Sequence, residues 1–181
     1  DITNAFNTVR RQAVVASWKG AANGMLSALL RDYVMSIPLA GGGAAMCESV
    51  TGVRQGCPLS MAAFACVVAD VMEALRERFP GVDVVAYADD TYLAVPEGRR
   101  LADVYDGLVA LLAGVGLRVN QTKSTVLASA LVGAPVPSLS VRQCIRVLGA
   151  PLAVPGCEAQ MAVALLQKIA EEARTSLEVA R

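Results

Sequence analysis

The sequence predicts an α+β fold, with helices packed on one face of an antiparallel sheet, and two observations carry that expectation. Long segments with helical apolar spacing alternate with short β-rich runs. One of those runs folds back on itself. Val82, Val84, Ala86 and Ala88 alternate with Asp83, Val85 and Tyr87, and Thr91 to Val95 then resumes a strand pattern, which places Asp89-Asp90 in the turn of a hairpin. The order suits a ferredoxin-like, split βαβ arrangement, and order alone leaves other α/β layouts open.

Arg10 to Val34 reads as helical with a break near Lys19-Gly20, since Val14, Val15 and Trp18, then Met25, Leu26, Leu29, Leu30 and Val34, recur at helical spacing. Ser36 to Leu39 and Ala45 to Val50 flank Gly41-Gly42-Gly43 as a hairpin or a loose loop. A long helix is expected from Met61 to Phe79: Pro58 and Ser60 stand at its start, the chain turns charged from Glu73 to Arg78, and Pro80-Gly81 stops it. Leu101, Val104, Tyr105, Leu108, Leu111, Leu112 and Val115 make one apolar stripe on a helix closed by Gly114 or Gly116, and core packing explains that stripe fully. Strands near Thr125 to Ala128 and Cys144 to Leu148, a Pro-rich connection at Ala134-Pro135-Val136-Pro137 and a last helix from Glu158 to Val179 complete the chain.

Its 181 residues suit one domain with a genuine core. Histidine is absent, which excludes Ser-His-Asp and Cys-His catalysis and His-ligated zinc, and leaves carboxylates, Lys, Cys and metals held by oxygen. The five cysteines, Cys47, Cys57, Cys66, Cys144 and Cys157, form no C-x-x-C pair and read as free thiols of an intracellular protein. Sixteen basic residues balance sixteen acidic ones, so the basic excess of a nucleic-acid-binding domain is missing. The apolar fraction of 55% exceeds the usual range, inflated by alanine, and suits faces that pack on further segments. The chain opens on Asp1 rather than a basic, apolar leader, and the apolar stretch Leu59 to Met72, interrupted by Asp70, reads as too short to span a bilayer; no membrane association is expected.

Asp89 and Asp90 taken alone make an ordinary turn, because Asp bonds local backbone and tolerates unusual dihedrals. Their neighbours decide the matter. Asp1-Ile2-Thr3-Asn4-Ala5-Phe6-Asn7 opens the chain, and Thr51-Gly52-Val53-Arg54-Gln55-Gly56-Cys57-Pro58-Leu59-Ser60 precedes Tyr87-Ala88-Asp89-Asp90. Gly116-Leu117-Arg118-Val119-Asn120-Gln121-Thr122-Lys123-Ser124 and Val147-Leu148-Gly149-Ala150-Pro151-Leu152 follow. In order and spacing this series resembles the palm motifs of reverse transcriptases. Arg54-Gln55-Gly56-Cys57-Pro58-Leu59-Ser60 looks most like the non-LTR, LINE-type retrotransposon branch, and less like group II intron or telomerase-type enzymes. The resemblance runs from Asp1 to about Leu152, a palm, with 153–181 as a helix leading toward a thumb or connector.

The resemblance implies RNA-directed DNA polymerisation: a primer 3′-hydroxyl attacks an α-phosphate and pyrophosphate departs. Two Mg²⁺ ions about 3.5–4 Å apart, with Mn²⁺ as a substitute, would serve the attacking and leaving oxygens. Asp1, Asp89 and Asp90 would be the metal ligands and catalytic carboxylates, joined if the opening strand lies beside the hairpin, with the Ile2 carbonyl as a further oxygen. Phe6 would bar the ribose 2′-hydroxyl sterically. Gln55, Gly56 and Tyr87 would line the nucleotide and template site, where glycine permits close backbone approach. Arg54 reads equally as a phosphate contact and as a solvated loop residue. Lys123 matches the family's proton donor to pyrophosphate, though alone it reads as a solvated lysine. Leu148 and Gly149 match the primer grip.

The implied partners are an RNA template, a DNA primer and deoxynucleotides, together with the fingers, thumb and endonuclease of the same polyprotein. The chain thus reads as a palm fragment lacking fingers and thumb, inactive in isolation, and nuclear if the retroelement is eukaryotic. A non-catalytic remnant or an RNA-binding module that keeps the palm fold is the alternative from a different class.

Overall fold

The computed structural model describes residues 1–19, 23–128, 135–159 and 161–163. Two compact units divide the chain, Asp1–Asn120 and Gln121–Arg181.

In the first unit, Asn4 turns left-handed (φ 48°) and starts the short helix α1 (Ala5–Thr8), followed by α2 (Arg11–Ser17) and α3 (Asn23–Leu29). The helical pattern expected to reach Val34 stops at Leu29. Tyr33–Pro38 is instead strand β1, paired antiparallel with β2 (Ala44–Ser49) around Gly42 and Gly43, both at positive φ. Val34 fitted the helical spacing, but it pairs with Glu48 and is exposed.

Helix α4 (Pro58–Arg78) begins three residues before the expected start, with Cys57 as N-cap and Pro58 in the first turn. It ends where Phe79 N–H bonds the Leu75 carbonyl and Gly81 takes φ 87°. By length and composition its 21 residues suffice to cross a membrane, so the expectation of a span too short fails on length. Its packing gives the burial: Phe64, Val67 and Leu75 are fully enclosed, with Ala63, Val68, Val71 and Met72 beside them.

Strands β3 (Asp83–Tyr87) and β4 (Asp90–Ala94) form the expected hairpin, seated on α4 by buried Val82 and Val84 and by Arg76 Nη2, which donates to the Val84 carbonyl at 2.7 Å. Helix α5 (Leu101–Gly114) completes the core with Val104, Leu108 and Leu112. Of the two candidate glycines, Gly116 closes it, at φ 85°; a Cβ there would meet the Thr8 carbonyl at 2.8 Å.

The second unit holds β5 (Thr125–Leu127) parallel to β6 (Ser140–Arg142), and β7 (Cys144–Val147) antiparallel to β8 (Ala150–Ala153). The helix expected at 158–179 lies mostly outside the described residues, as does Ala134 of the Pro-rich connection.

Helices and small antiparallel sheets are therefore mixed as expected, but among the described residues the ladders are four two-stranded pairs, one of them parallel, rather than one continuous sheet. The opening segment adds only an isolated bridge, Ile2 to Val119, because Asn4 turns into α1 before a ladder can propagate.

Candidate functional site

Tyr87 pairs with Asp90 across the β3–β4 turn, leaving Ala88 and Asp89 as its two central residues, so Asp90, expected in the turn beside Asp89, instead opens β4 because the tight turn takes up only two residues. Ala88 has φ 52° and Asp89 does not share that sign, the pattern of a type II′ turn, whose twist suits a hairpin. Asp89 is exposed and Asp90 half-buried.

The opening segment lies against this tip. Ile2 N–H donates to the Asp89 carbonyl at 3.0 Å, Asn120 N–H donates to the Asp1 carbonyl at 2.9 Å, and Thr3 N–H donates to the Arg118 carbonyl at 2.8 Å. Ile2, 2% exposed, anchors the segment in the core. The backbone of Asp1 thus sits one residue from a hydrogen bond to the hairpin tip, although 88 positions of sequence separate Asp1 from Asp89. The side chains are less organised: among the described residues no three His, Cys, Asp or Glu side chains gather into a metal-holding group. The donor chemistry suits a hard divalent ion, since all three candidates are carboxylates, and the backbone brings their segments together.

In the same unit a cleft of about 400 Å³ is lined by Phe6, Arg54, Gln55, Gly56 and Met61, with Cys57 and Pro58 at the start of α4. Phe6 lies on α1 and tilts against Phe64 of α4, ring centroids 4.8 Å apart. Gly56 takes φ 81°, and nothing would meet a Cβ within 4 Å, so its backbone is open to the cleft. The Cys57 thiol is held below its ordinary pKa, first by backbone N–H groups of Ser60 and Leu59 at the helix start, with a smaller contribution from Arg54.

Tyr87, 66% exposed, stands at the end of β3. Lys123, Leu148 and Gly149 belong to the second unit. There Lys123 is exposed in a turn, and Leu148 (φ 49°) with Gly149 (φ 86°) forms the β7–β8 turn, whose Gly149 carbonyl accepts from Arg146 Nη2 at 3.2 Å.

Sequence reasoning assigned no role to three residues that frame the cleft. Gly52 (φ 73°) lies directly on α1, where a Cβ would fall 2.5 Å from the Phe6 carbonyl oxygen. Thr51 Oγ1 donates to the Asn7 carbonyl at 3.1 Å. Arg11 bonds the Gly52 and Thr51 carbonyls, Ser49 and Asp32. Gly52 carried a signal, being a glycine within a motif segment; Arg11 carried none, since its partners lie 21 to 41 positions away.

No curated protein matches the chain. The family described as reverse transcriptase (RNA-dependent DNA polymerase) matches residues 1–152 of the 181, a span holding all five motif segments from Asp1 to Leu152, and the chain belongs to that family.

Proposed function

We propose that this chain is the palm of an RNA-directed DNA polymerase from a LINE-type, non-LTR retroelement, adding deoxynucleotides through a two-Mg²⁺ site built on Asp1, Asp89 and Asp90. The family implies an RNA template and a nucleic-acid primer, and its members generally use divalent metal ions. The observation that carries the site is the Ile2 N–H bond to the Asp89 carbonyl, which joins the first carboxylate's segment to the hairpin that bears the other two. The LINE assignment rests on the wording of Arg54 to Ser60.

In this reading Asp89, exposed at the tip, and Asp1 face the reacting phosphate, and Asp90 sets the second carboxylate from β4. When bound, the ions supply activation of the 3′-hydroxyl and neutralisation of charge on departing pyrophosphate. The Phe6 ring, braced by Phe64, forms the sugar-facing wall of the cleft, and the exposed amide of Gln55 and the open backbone of Gly56 receive base or template. Lys123 serves as proton donor and Leu148-Gly149 as primer grip. The palm extends through residue 152, and 153–181 leads toward a thumb; fingers, thumb and endonuclease complete the enzyme, which works in the nucleus of a eukaryotic host without a membrane.

The ungathered carboxylate side chains favour a second reading, a palm that binds nucleic acid without turnover. The gate assignment is tested in a polymerase completed with fingers and thumb. There Phe6→Ala raises ribonucleotide use relative to deoxynucleotide by about tenfold or more, measured as the ratio of kcat/KM values. An unchanged ratio removes Phe6 from the gate.

A further inference from the structure

We infer that Gly52 and Arg11 are positioning residues for nucleotide selection: they lock the Thr51–Val53 backbone onto α1 and so fix where the Phe6 ring stands in the cleft. The inference deepens the proposed gate and rests on it.

The lock has two sides. Toward α1, Val53 N–H donates to the Phe6 carbonyl at 2.7 Å, Gly52 N–H to the Val9 carbonyl at 3.0 Å, and Thr51 Oγ1 to the Asn7 carbonyl. These bonds take up the Phe6 and Asn7 carbonyls, on a helix of only four residues that has no stability of its own, and the carbonyl of Val9 at its C-cap. The approach is so close that only glycine fits: a Cβ on residue 52 would also lie 2.6 Å from Asn7 Cα, all of it backbone that cannot swing aside, and φ 73° disfavours any other residue.

Toward the other side, the Arg11 guanidinium, on a side chain 11% exposed, donates Nε to the Gly52 carbonyl at 3.0 Å and Nη2 to Ser49 Oγ at 3.0 Å and to the Thr51 carbonyl at 3.3 Å, while Nη1 pairs with Asp32 at 2.5 Å. A planar fork engages these groups at once, which a lysine cannot do. The segment held in this way continues directly into Arg54-Gln55-Gly56, so one clamp sets two walls of the cleft: the Phe6 wall and the Gln-Gly wall. Neither Gly52 nor Arg11 lines the cleft itself.

The test is a double-mutant cycle on sugar discrimination in a polymerase completed with fingers and thumb, reading kcat/KM for deoxy- and ribonucleotide with Gly52→Ala, Phe6→Ala and both together. Arg11→Lys and Thr51→Val serve as milder variants if Gly52→Ala does not fold. Misplacing the ring by about 1 Å is expected to relax discrimination on the order of 10- to 100-fold in Gly52→Ala, and several-fold in Arg11→Lys. The double variant is expected to be no more relaxed than the more relaxed single variant. Loss of folding stability alone lowers activity with both sugars and leaves their ratio intact. If Phe6→Ala relaxes discrimination while the clamp variants keep the parental ratio, or combine with it multiplicatively, the positioning inference is overturned and the gate stands. If Phe6→Ala itself changes nothing, the gate reading falls and the inference falls with it.

Discussion

Two hairpins of this chain close on two central residues, and each sets a non-glycine residue in left-handed space, yet they are held in different ways. The β3–β4 turn uses one such residue, Ala88, and is fixed from outside. Val82 and Val84 are buried beneath it, Arg76 bonds the Val84 carbonyl, and Ile2 bonds the Asp89 carbonyl at the tip. The β7–β8 turn also uses one, Leu148, followed by Gly149 at positive φ, the sign pattern of a type I′ turn; no residue of its strands is buried, and its Gly149 carbonyl is held by Arg146 from the same hairpin. Turn chemistry shapes both tips. Tertiary contacts also fix the β3–β4 tip, as the proposed metal site on Asp89 and Asp90 would require.

That contrast makes measurable claims. Shortening buried Val84 to Ala would lower unfolding free energy by about 2 kcal/mol, and the same truncation at half-buried Ile145 in β7 by about 1 kcal/mol or less; denaturant titration of both variants checks it, and equal losses would break the contrast. Backbone strain provides a finer test. Ala88→Val puts a β-branched residue at φ 52° and would cost about 1–2 kcal/mol, whereas Leu148→Gly would relieve strain and raise stability by up to about 1 kcal/mol. A smaller effect concerns Cys57, in the same unit as the fixed hairpin. Its lowered pKa means more thiolate at neutral pH than a free cysteine carries, so its alkylation, followed by peptide mapping across pH, would reach half-maximal rate below the midpoint of a free cysteine.

The hairpin at Asp89 was legible because strand alternation and turn residues are local signals, and α4 and α5 because their apolar stripes run for several turns. Strand β1 was legible only from Ser36, as one arm of the hairpin around Gly41–Gly43; its first residues were obscured by Leu29, Leu30 and Val34, which continue a helical spacing although α3 ends at Leu29. Strands β6 and β8 were missed, being only three and four residues long, with Pro151 inside β8. The site was legible as a list of motifs but not as contacts. Nothing local announces that Ile2 reaches Asp89, that Gly52 rests on the Phe6 carbonyl, or that Arg11 bonds four groups, because each contact joins residues far apart in sequence and most involve backbone atoms shared by every residue type.

The most direct measurement is primer extension on an RNA template with Mg²⁺, in a polymerase completed with fingers and thumb, comparing the parent with Asp89→Asn while primer-template binding is followed separately. Asparagine keeps the shape at the tip but removes the charge that would hold an ion in the proposed site. Extension is therefore expected to fall by roughly 10²-fold or more while binding changes little. Equal extension by both proteins would contradict the metal role of Asp89, and a folded parent that binds RNA yet never extends the primer would contradict the polymerase reading in favour of a palm without turnover.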